Sequence, residues 1–332
     1  MVSAIAESWR HSCLRLGYKG IKLFASHVLK ILPMTARTLR MLPIPKAQKW
    51  YLGGVVADRL KSATSLRKVV LMAEGFKMDL DLSESYEQRM YYSRLYAPHL
   101  ASLFKHLLVP GDTVIDGGAN IGYFSLLTAK YVGKQGCVHA FEPIPQTFEA
   151  LNKNVYLNGF TNIRTNRLAL TQNTGELCFE LPTDAHTGNP LGRLATVALL
   201  GRGPRMIVPA DTLDEYINRS GITSIKLVKL DVEGSEVDAI TGMRQMLSEH
   251  RISYLICELS TVLLDEMGIP YSTMQEALSE YSYSCYLIKC TSEWIGLESV
   301  DLVALREKTT IPIHGDYLFA APGMAIPRNM TT

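Results

Sequence analysis

Apolar residues fall into two alternating patterns along this chain. At 113–116, 137–141, 163–168, 225–230 and 254–257 they form short continuous runs, the mark of strands buried on both faces. Between these runs the spacing becomes helical. Ile121, Phe124, Leu127 and Ala129 share one face before Gly133, a helix over 145–157 ends at Asn158-Gly159, and Val237, Ile240, Met243 and Leu247 line another face. A hairpin or strand over 68–82 and a tyrosine-rich helical stretch over 86–108 come first. A strand over 175–181, a helix over 271–280 and strands over 284–288 and 316–320 complete the pattern. Strands alternating with helices predict a doubly wound α/β fold with a mostly parallel sheet. The polar, Gly/Pro-punctuated stretch 182–209 reads as a lid or substrate loop.

The first 65 residues stand apart as a basic helical extension, leaving 66–332 as the α/β domain. Over 18–32, Ile21, Phe24, Ala25, Val28, Leu29, Ile31 and Leu32 gather on one broad helical face, and Lys19, Lys22, Ser26 and Lys30 on another. The whole chain has a formal net charge of +2, but residues 1–49 carry nine Lys and Arg against the single acid Glu7. Three readings stay open: a helix packed on the body, an in-plane helix on an anionic membrane surface, or an organelle transit peptide. Nucleic acid is not expected, because the basic residues lack aromatic stacking partners.

At 332 residues, 47% apolar and 20% charged, the chain supports a large core and is not a disordered composition. Its six cysteines include no CxxC pair, which predicts free thiols in a reducing, cytoplasmic setting. No window reaches the ~18 uninterrupted apolar residues of a membrane span.

The chemistry gathers at strand ends. The first strand runs into VIDGGANIGYFS (114–125), and the second ends at Glu142, 20 residues beyond Gly122. An acid after the second strand of a β-α-β unit suits the hydroxyls of a ribose. Gly117, Gly118 and Gly122 are expected to let backbone approach a ligand, and Asn120 to cap the helix. Asp116 would repel a pyrophosphate and attract a sulfonium or an α-amino group, which favours S-adenosylmethionine over NAD. Further along, Asp231, Glu233 and Glu258 follow other buried strands. They are the candidates for orienting or deprotonating an acceptor, although Lys229 and Asp231 lie on one side of their strand and could simply pair. His139 reads as packed, His186 as a loop residue, and no metal set is expected.

VIDGGANIGYFS, AFEP (140–143), Ala169-Leu170, Thr212-Leu213-Asp214 and KLDVEGSE (229–236) together resemble the FkbM family of S-adenosylmethionine-dependent methyltransferases. The resemblance runs from about 66 to 320. It implies a seven-stranded class I methyltransferase sheet and, usually, methylation of a hydroxyl on a sugar, glycan, polyketide or other small metabolite. It also implies that Asp116, Gly118, Asn120 and Gly122 form the methionine end of the cofactor site, that Glu142 holds the ribose, and that Leu168 and Ala169 border the adenine. A protein or lipid-linked methyltransferase docked through the basic helix, and a non-catalytic cofactor-binding module, are the alternatives.

Overall fold

The structure is a computed structural model that describes residues 66–180, 193–194, 205–259, 272–292, 298–305, 315–327 and 330–331, together with Arg37 and Met41. The amphipathic segment 18–32, most of the rest of the 1–65 extension, and His186 with most of the 182–209 insertion lie outside the described residues.

The expected hairpin is present as β1 (Arg67–Leu71) paired antiparallel with β2 (Lys77–Asp81). The tyrosine-rich stretch is two helices rather than one, α1 (Ser85–Ser93) and α2 (Pro98–Leu107). Arg94 and Ala97 adopt positive φ values of 60° and 36° between them. Pro98 explains the break, because its ring excludes the preceding residue from helical geometry.

The central sheet begins with β3 (Thr113–Gly117), α3 (Tyr123–Val132), β4 (Cys137–Phe141), α4 (Pro145–Asn158) and β5 (Ile163–Asn166). The chain then leaves this sheet. Among the described residues, β6 (Ala169–Leu170), β7 (Gly175–Glu180), β8 (Arg193–Leu194) and β9 (Arg205–Asp211) form a separate four-stranded sheet in the order β6-β9-β7-β8. The strand expected over 163–168 therefore stops at Asn166, whose carbonyl accepts the last ladder bond, from Glu142 N. Pro209, expected to end a loop, lies within β9 opposite Glu176.

The chain returns through α5 (Leu213–Ser220), where Thr212 Oγ1 caps the helix by accepting from Glu215 N. It re-enters the sheet as β10 (Ile225–Leu230), α6 (Glu236–Thr241), α7 (Arg244–Ser248) and β11 (Ile252–Leu259). The single helix expected here breaks at Gly242, where an added Cβ would sit 2.0 Å from Thr171 O. After α8 (Ser272–Ser279) come β12 (Ser284–Ser292), β13 (Glu298–Leu305), β14 (Gly315–Ala320) and β15 (Met330–Thr331).

Among the described residues the central sheet has nine strands, ordered β15-β13-β12-β14-β11-β10-β3-β4-β5. Seven of them, from β5 across to β12, correspond to the expected sheet, with β14 the antiparallel member. β13 and β15, to which the sequence reading assigned no strand, extend its far edge. Side chains on the two faces feed two cores. Val114, Val138 and Leu227 join the core under α1, α2 and α3, while Ile115, Val228 and Leu230 join the one under α5, α6 and α7. Burial on both faces is what the continuous apolar runs required. Strand order reverses between β3 and β10, so the crevice beyond their carboxyl ends is where such a sheet receives a ligand.

Candidate active site

That crevice is walled by two loops that touch. Asp231 N donates to Gly117 O at 3.1 Å, and a Cβ on Gly118 would lie 1.8 Å from Asp231 O. Gly118, with φ 72°, is thus required by the loop from β10. Gly122, with φ 95°, is the N-cap of α3 and would meet Leu151 Cδ1 at 2.6 Å. Both glycines serve closure within the chain, and Gly118 in addition lines the cavity described below.

Asn120 does not cap α3 either. It holds a left-handed conformation, φ 51°, which its short polar side chain tolerates. Its Oδ1 accepts from Ile121 N at 2.7 Å and from the Tyr86 hydroxyl at 3.1 Å, and its own N–H donates to Glu142 Oε2 at 3.0 Å. The other carboxylate oxygen, Oε1, accepts from Ile144 N at 3.0 Å. Burial pushes the Glu142 carboxyl up to about 7; these two N–H groups and Lys229 resist that shift, and Asp116 adds to it.

Beyond β10 the chain turns through Glu233 (φ 52°) and Gly234 (φ 98°). Glu236 holds this turn, its Oε1 accepting from Val232 N at 3.1 Å and Gly234 N at 3.3 Å. Lys229, buried at the end of β10, binds the two loops together. Its ammonium is 3.3 Å from Asp231 Oδ2, 3.5 Å from Asp116 Oδ1 and 3.3 Å from Gly118 O, and lies over the Phe124 ring. Burial disfavours that charge, yet the Asp231 and Asp116 carboxylates outweigh it and hold the Lys229 pKa above its ordinary value.

A cavity of about 250 Å³ opens between these loops and the four-stranded sheet. Of the residues singled out from sequence, Gly118, Asn120, Glu142, Leu168, Ala169, Asp231, Glu233 and Glu258 line it. Asp116 and Gly122 do not. Asp116 is buried behind the wall, accepting from Ser125 Oγ at 2.6 Å and facing Lys229. The cavity is chemically divided. Phe141, Ile144, Leu177 and Phe179 give one end apolar walls, and Asp231, Glu233 and Glu258 make the other acidic. Burial and the Asp231 and Asp316 charges push Glu258 up to about 8, against the pull of Lys229.

Several lining residues were not found from sequence. Tyr86 and Tyr96 come from the α1–α2 corner, and Ser235 brings a buried hydroxyl without a hydrogen-bond partner. The tyrosine-rich run was visible, but not the backbone break that turns Tyr96 toward β10. His139 is packed as expected: its Nδ1 meets the Tyr216 hydroxyl at 2.7 Å, and burial drops its pKa to about 4. Among the described residues no cluster suits a metal ion, the cysteines Cys137, Cys178, Cys257 and Cys285 are free, and no helix is long and apolar enough to cross a membrane.

The Methyltransferase FkbM domain profile matches residues 116–285, from the end of β3 into β12 and just over half of the chain. A hexuronic acid methyltransferase, AglP, of Haloferax volcanii is 26% identical over 178 residues, covering 54% of this chain and 66% of that protein. The 31-O-demethyl-FK506 methyltransferase FkbM of Streptomyces tacrolimicus is 30% identical over 181 residues, covering 47% of this chain and 68% of that protein. The matched part thus spans about two thirds of the length of these relatives. A SAM-dependent O-methyltransferase structure from Thermotoga maritima aligns with a TM-score of 0.37 at 11% identity, over 78% of this chain and 79% of that one, a likeness too loose to add to the strand order. With the matched segment containing the end of β3, the β10 turn and the crevice between them, the chain belongs to the FkbM family of methyltransferases, whose methyl donor is S-adenosylmethionine.

Proposed function

We propose that the chain methylates a hydroxyl oxygen of a small metabolite, sugar or glycan. The observation that carries this reading is the division of the cavity into an apolar end, a hydrogen-bonded carboxylate at Glu142 and an acidic end. These residues fit the donor. The apolar end suits an adenine ring, and each Glu142 oxygen takes one backbone N–H and keeps lone-pair capacity for a ribose hydroxyl. The buried Ser235 hydroxyl has capacity for a polar ligand group. Asp231, Glu233 and Glu258 suit a cationic centre beside an acceptor.

When bound, S-adenosylmethionine supplies a methyl carbon already activated by its sulfonium. The chain's part is then to align the acceptor oxygen with that carbon, exclude water and receive a proton. Gly118 and Asn120 border the donor in this reading, and Leu168 and Ala169 close over the base. Asp116 acts from behind, holding Lys229 and the start of α3. Asp231 is engaged by Lys229, which suits it to orientation better than to proton abstraction.

The names of the two relatives, a hexuronic acid methyltransferase and a 31-O-demethyl-FK506 methyltransferase, support a hydroxyl-bearing acceptor at the level of class. Isothermal titration tests the reading. S-adenosylmethionine and S-adenosylhomocysteine are expected to bind and NAD not to; tight NAD binding with neither of the others would overturn it. Docking of residues 18–32 on anionic vesicles remains a proposal in parallel, expected to weaken when Lys19, Lys22 and Lys30 are replaced by alanine.

A further inference from the structure

A second cavity, of about 150 Å³, adjoins the first and shares Tyr96, Asp231 and Glu258 with it. Its outer wall is built by the α1–α2 corner and by β14. Ala97, held at φ 36°, leads directly into α2 and so fixes the placement of Tyr96 and His99. The His99 ring reaches across to β14, where its Nε2 lies 2.7 Å from Asp316 Oδ2. Asp316 is itself placed by the sheet, paired in register with Glu258 of β11. A carboxylate can only accept this hydrogen bond, so Nε2 carries the ring proton and Nδ1 is the basic nitrogen of the neutral imidazole. A base oriented by a half-buried carboxylate, in a compartment that touches the donor cavity, is the arrangement acceptor deprotonation needs.

The charge of the compartment narrows the acceptor. Asp231, Glu258 and Asp316 line it, and its lysine, Lys229, is already engaged by Asp231 and Asp116. An acceptor carrying a carboxylate would meet these acids, and among the described residues the lining lysine that could receive it is already engaged. Uncharged hydroxyl groups, by contrast, are natural donors to carboxylate oxygens.

Resting on the methyltransferase reading above, we infer that this second cavity holds the acceptor, that the acceptor is an uncharged hydroxyl compound, and that His99, oriented by Asp316, takes its proton. In the transfer, a lone pair of the acceptor oxygen forms the new bond to the methyl carbon. The carbon–sulfur bond breaks with its electron pair going to sulfur. The hydroxyl proton passes to His99, and Asp316 stabilises the imidazolium that results.

Three measurements on the full chain separate this inference from the reading beneath it. Calorimetry comes first: absence of S-adenosylmethionine binding overturns the methyltransferase reading, and this inference falls with it. With binding intact, histidine-selective NMR of the protein saturated with S-adenosylhomocysteine is recorded while methyl β-glucopyranoside is added. The His99 ring signals are expected to shift saturably, and methyl β-glucuronide to act roughly tenfold more weakly. No saturable shift with the neutral glycoside, or a stronger response to the glucuronide, overturns the assignment of the cavity. The proton role is read from label transfer to the neutral glycoside. His99→Gln is expected to lose about 100-fold in kcat with donor affinity unchanged, Asp316→Asn about tenfold, and His99→Ala to regain turnover with added imidazole. Undiminished kcat in His99→Gln, or no rescue of a His99→Ala protein that still binds the donor, overturns the role of His99.

Discussion

Lys229 Nζ lies 3.3 Å from Asp231 Oδ2, joining a carboxylate that lines the cavity to an ammonium buried beneath it. The same ammonium is 3.5 Å from Asp116, so one cation holds the carboxyl ends of β3 and β10 together at the point where the sheet reverses. A buried ion group is weak grounds for added stability as a whole, but removing one member leaves an uncompensated charge. Lys229→Met is therefore expected to lower unfolding stability by roughly 3–5 kcal/mol, since Asp116 is almost fully buried. Urea denaturation checks this, and a loss below about 1 kcal/mol would show that the acids are relieved by water instead.

Two glycines with similar backbone angles separate conformational strain from collision. Gly159, the C-cap of α4 at φ 65°, has nothing within 4 Å of an added Cβ. Gly159→Ala is expected to cost about 1–2 kcal/mol, the ordinary penalty of the left-handed region. Gly118 at φ 72° adds the contact with Asp231 O, so Gly118→Ala must also push the β3 and β10 loops apart. It should cost well over that amount and abolish donor binding. Equal thermal shifts in the two variants would contradict this account.

Three carboxyls on or next to the cavity are pushed up mainly by burial, Glu142 and Glu236 to about 7 and Glu258 to about 8, from an ordinary 4.5. Between those values the folded chain keeps protons that the unfolded chain releases. Their stabilising contribution is accordingly full below about 4.5 and is lost as pH rises through 7 to 8. The melting temperature of the protein without ligand should fall across that window, by about 5 °C or more. Glu258→Gln, neutral at every pH, should flatten the upper part of the fall. A melting temperature that rises from pH 5 to 8 would refute the assignment.

His139 and Tyr216 provide a control away from the chemistry. Their 2.7 Å hydrogen bond is buried behind β4, and His139 stays neutral there because burial drops its pKa to about 4. Tyr216→Phe leaves the ring nitrogen without this partner and is expected to cost about 1–3 kcal/mol in denaturation. Donor affinity should not change; a marked loss of affinity would mean that α5 couples to the cavity.

The parts of the fold legible in the sequence were those with a local cause. Continuous apolar runs located β4 and β10 to the residue, because strands buried on both faces leave no room for polar alternation. Asn158-Gly159 gave the end of α4 because the C-cap needs a left-handed residue. The misjudged elements had non-local causes. Thr171 O, from another sheet, forbids a side chain at Gly242 and divides a helix that its own periodicity would continue. Ala169-Leu170 leaves the central sheet because its partner is β9, some forty residues away. Residues 298–305 were passed over entirely, and they form a strand because β12 lies beside them.

The candidate site divides in the same way. Small residues between β3 and α3, an acid after β4 and the acids after β10 and β11 are a linear pattern, and the family followed from it. Which of those acids face a ligand is not a linear property. Packing buried Asp116 under Lys229, turned Gly118 against Asp231, and brought Tyr96 and His99 from a corner more than a hundred residues upstream to the ends of β10 and β14. Sequence alone determined the parallel core of the sheet, because burial period is written locally, and through the family motifs it determined the donor. Only the tertiary structure decided which charges neutralise one another and which remain for chemistry, because Coulomb interactions and desolvation depend on distance in space, not along the chain.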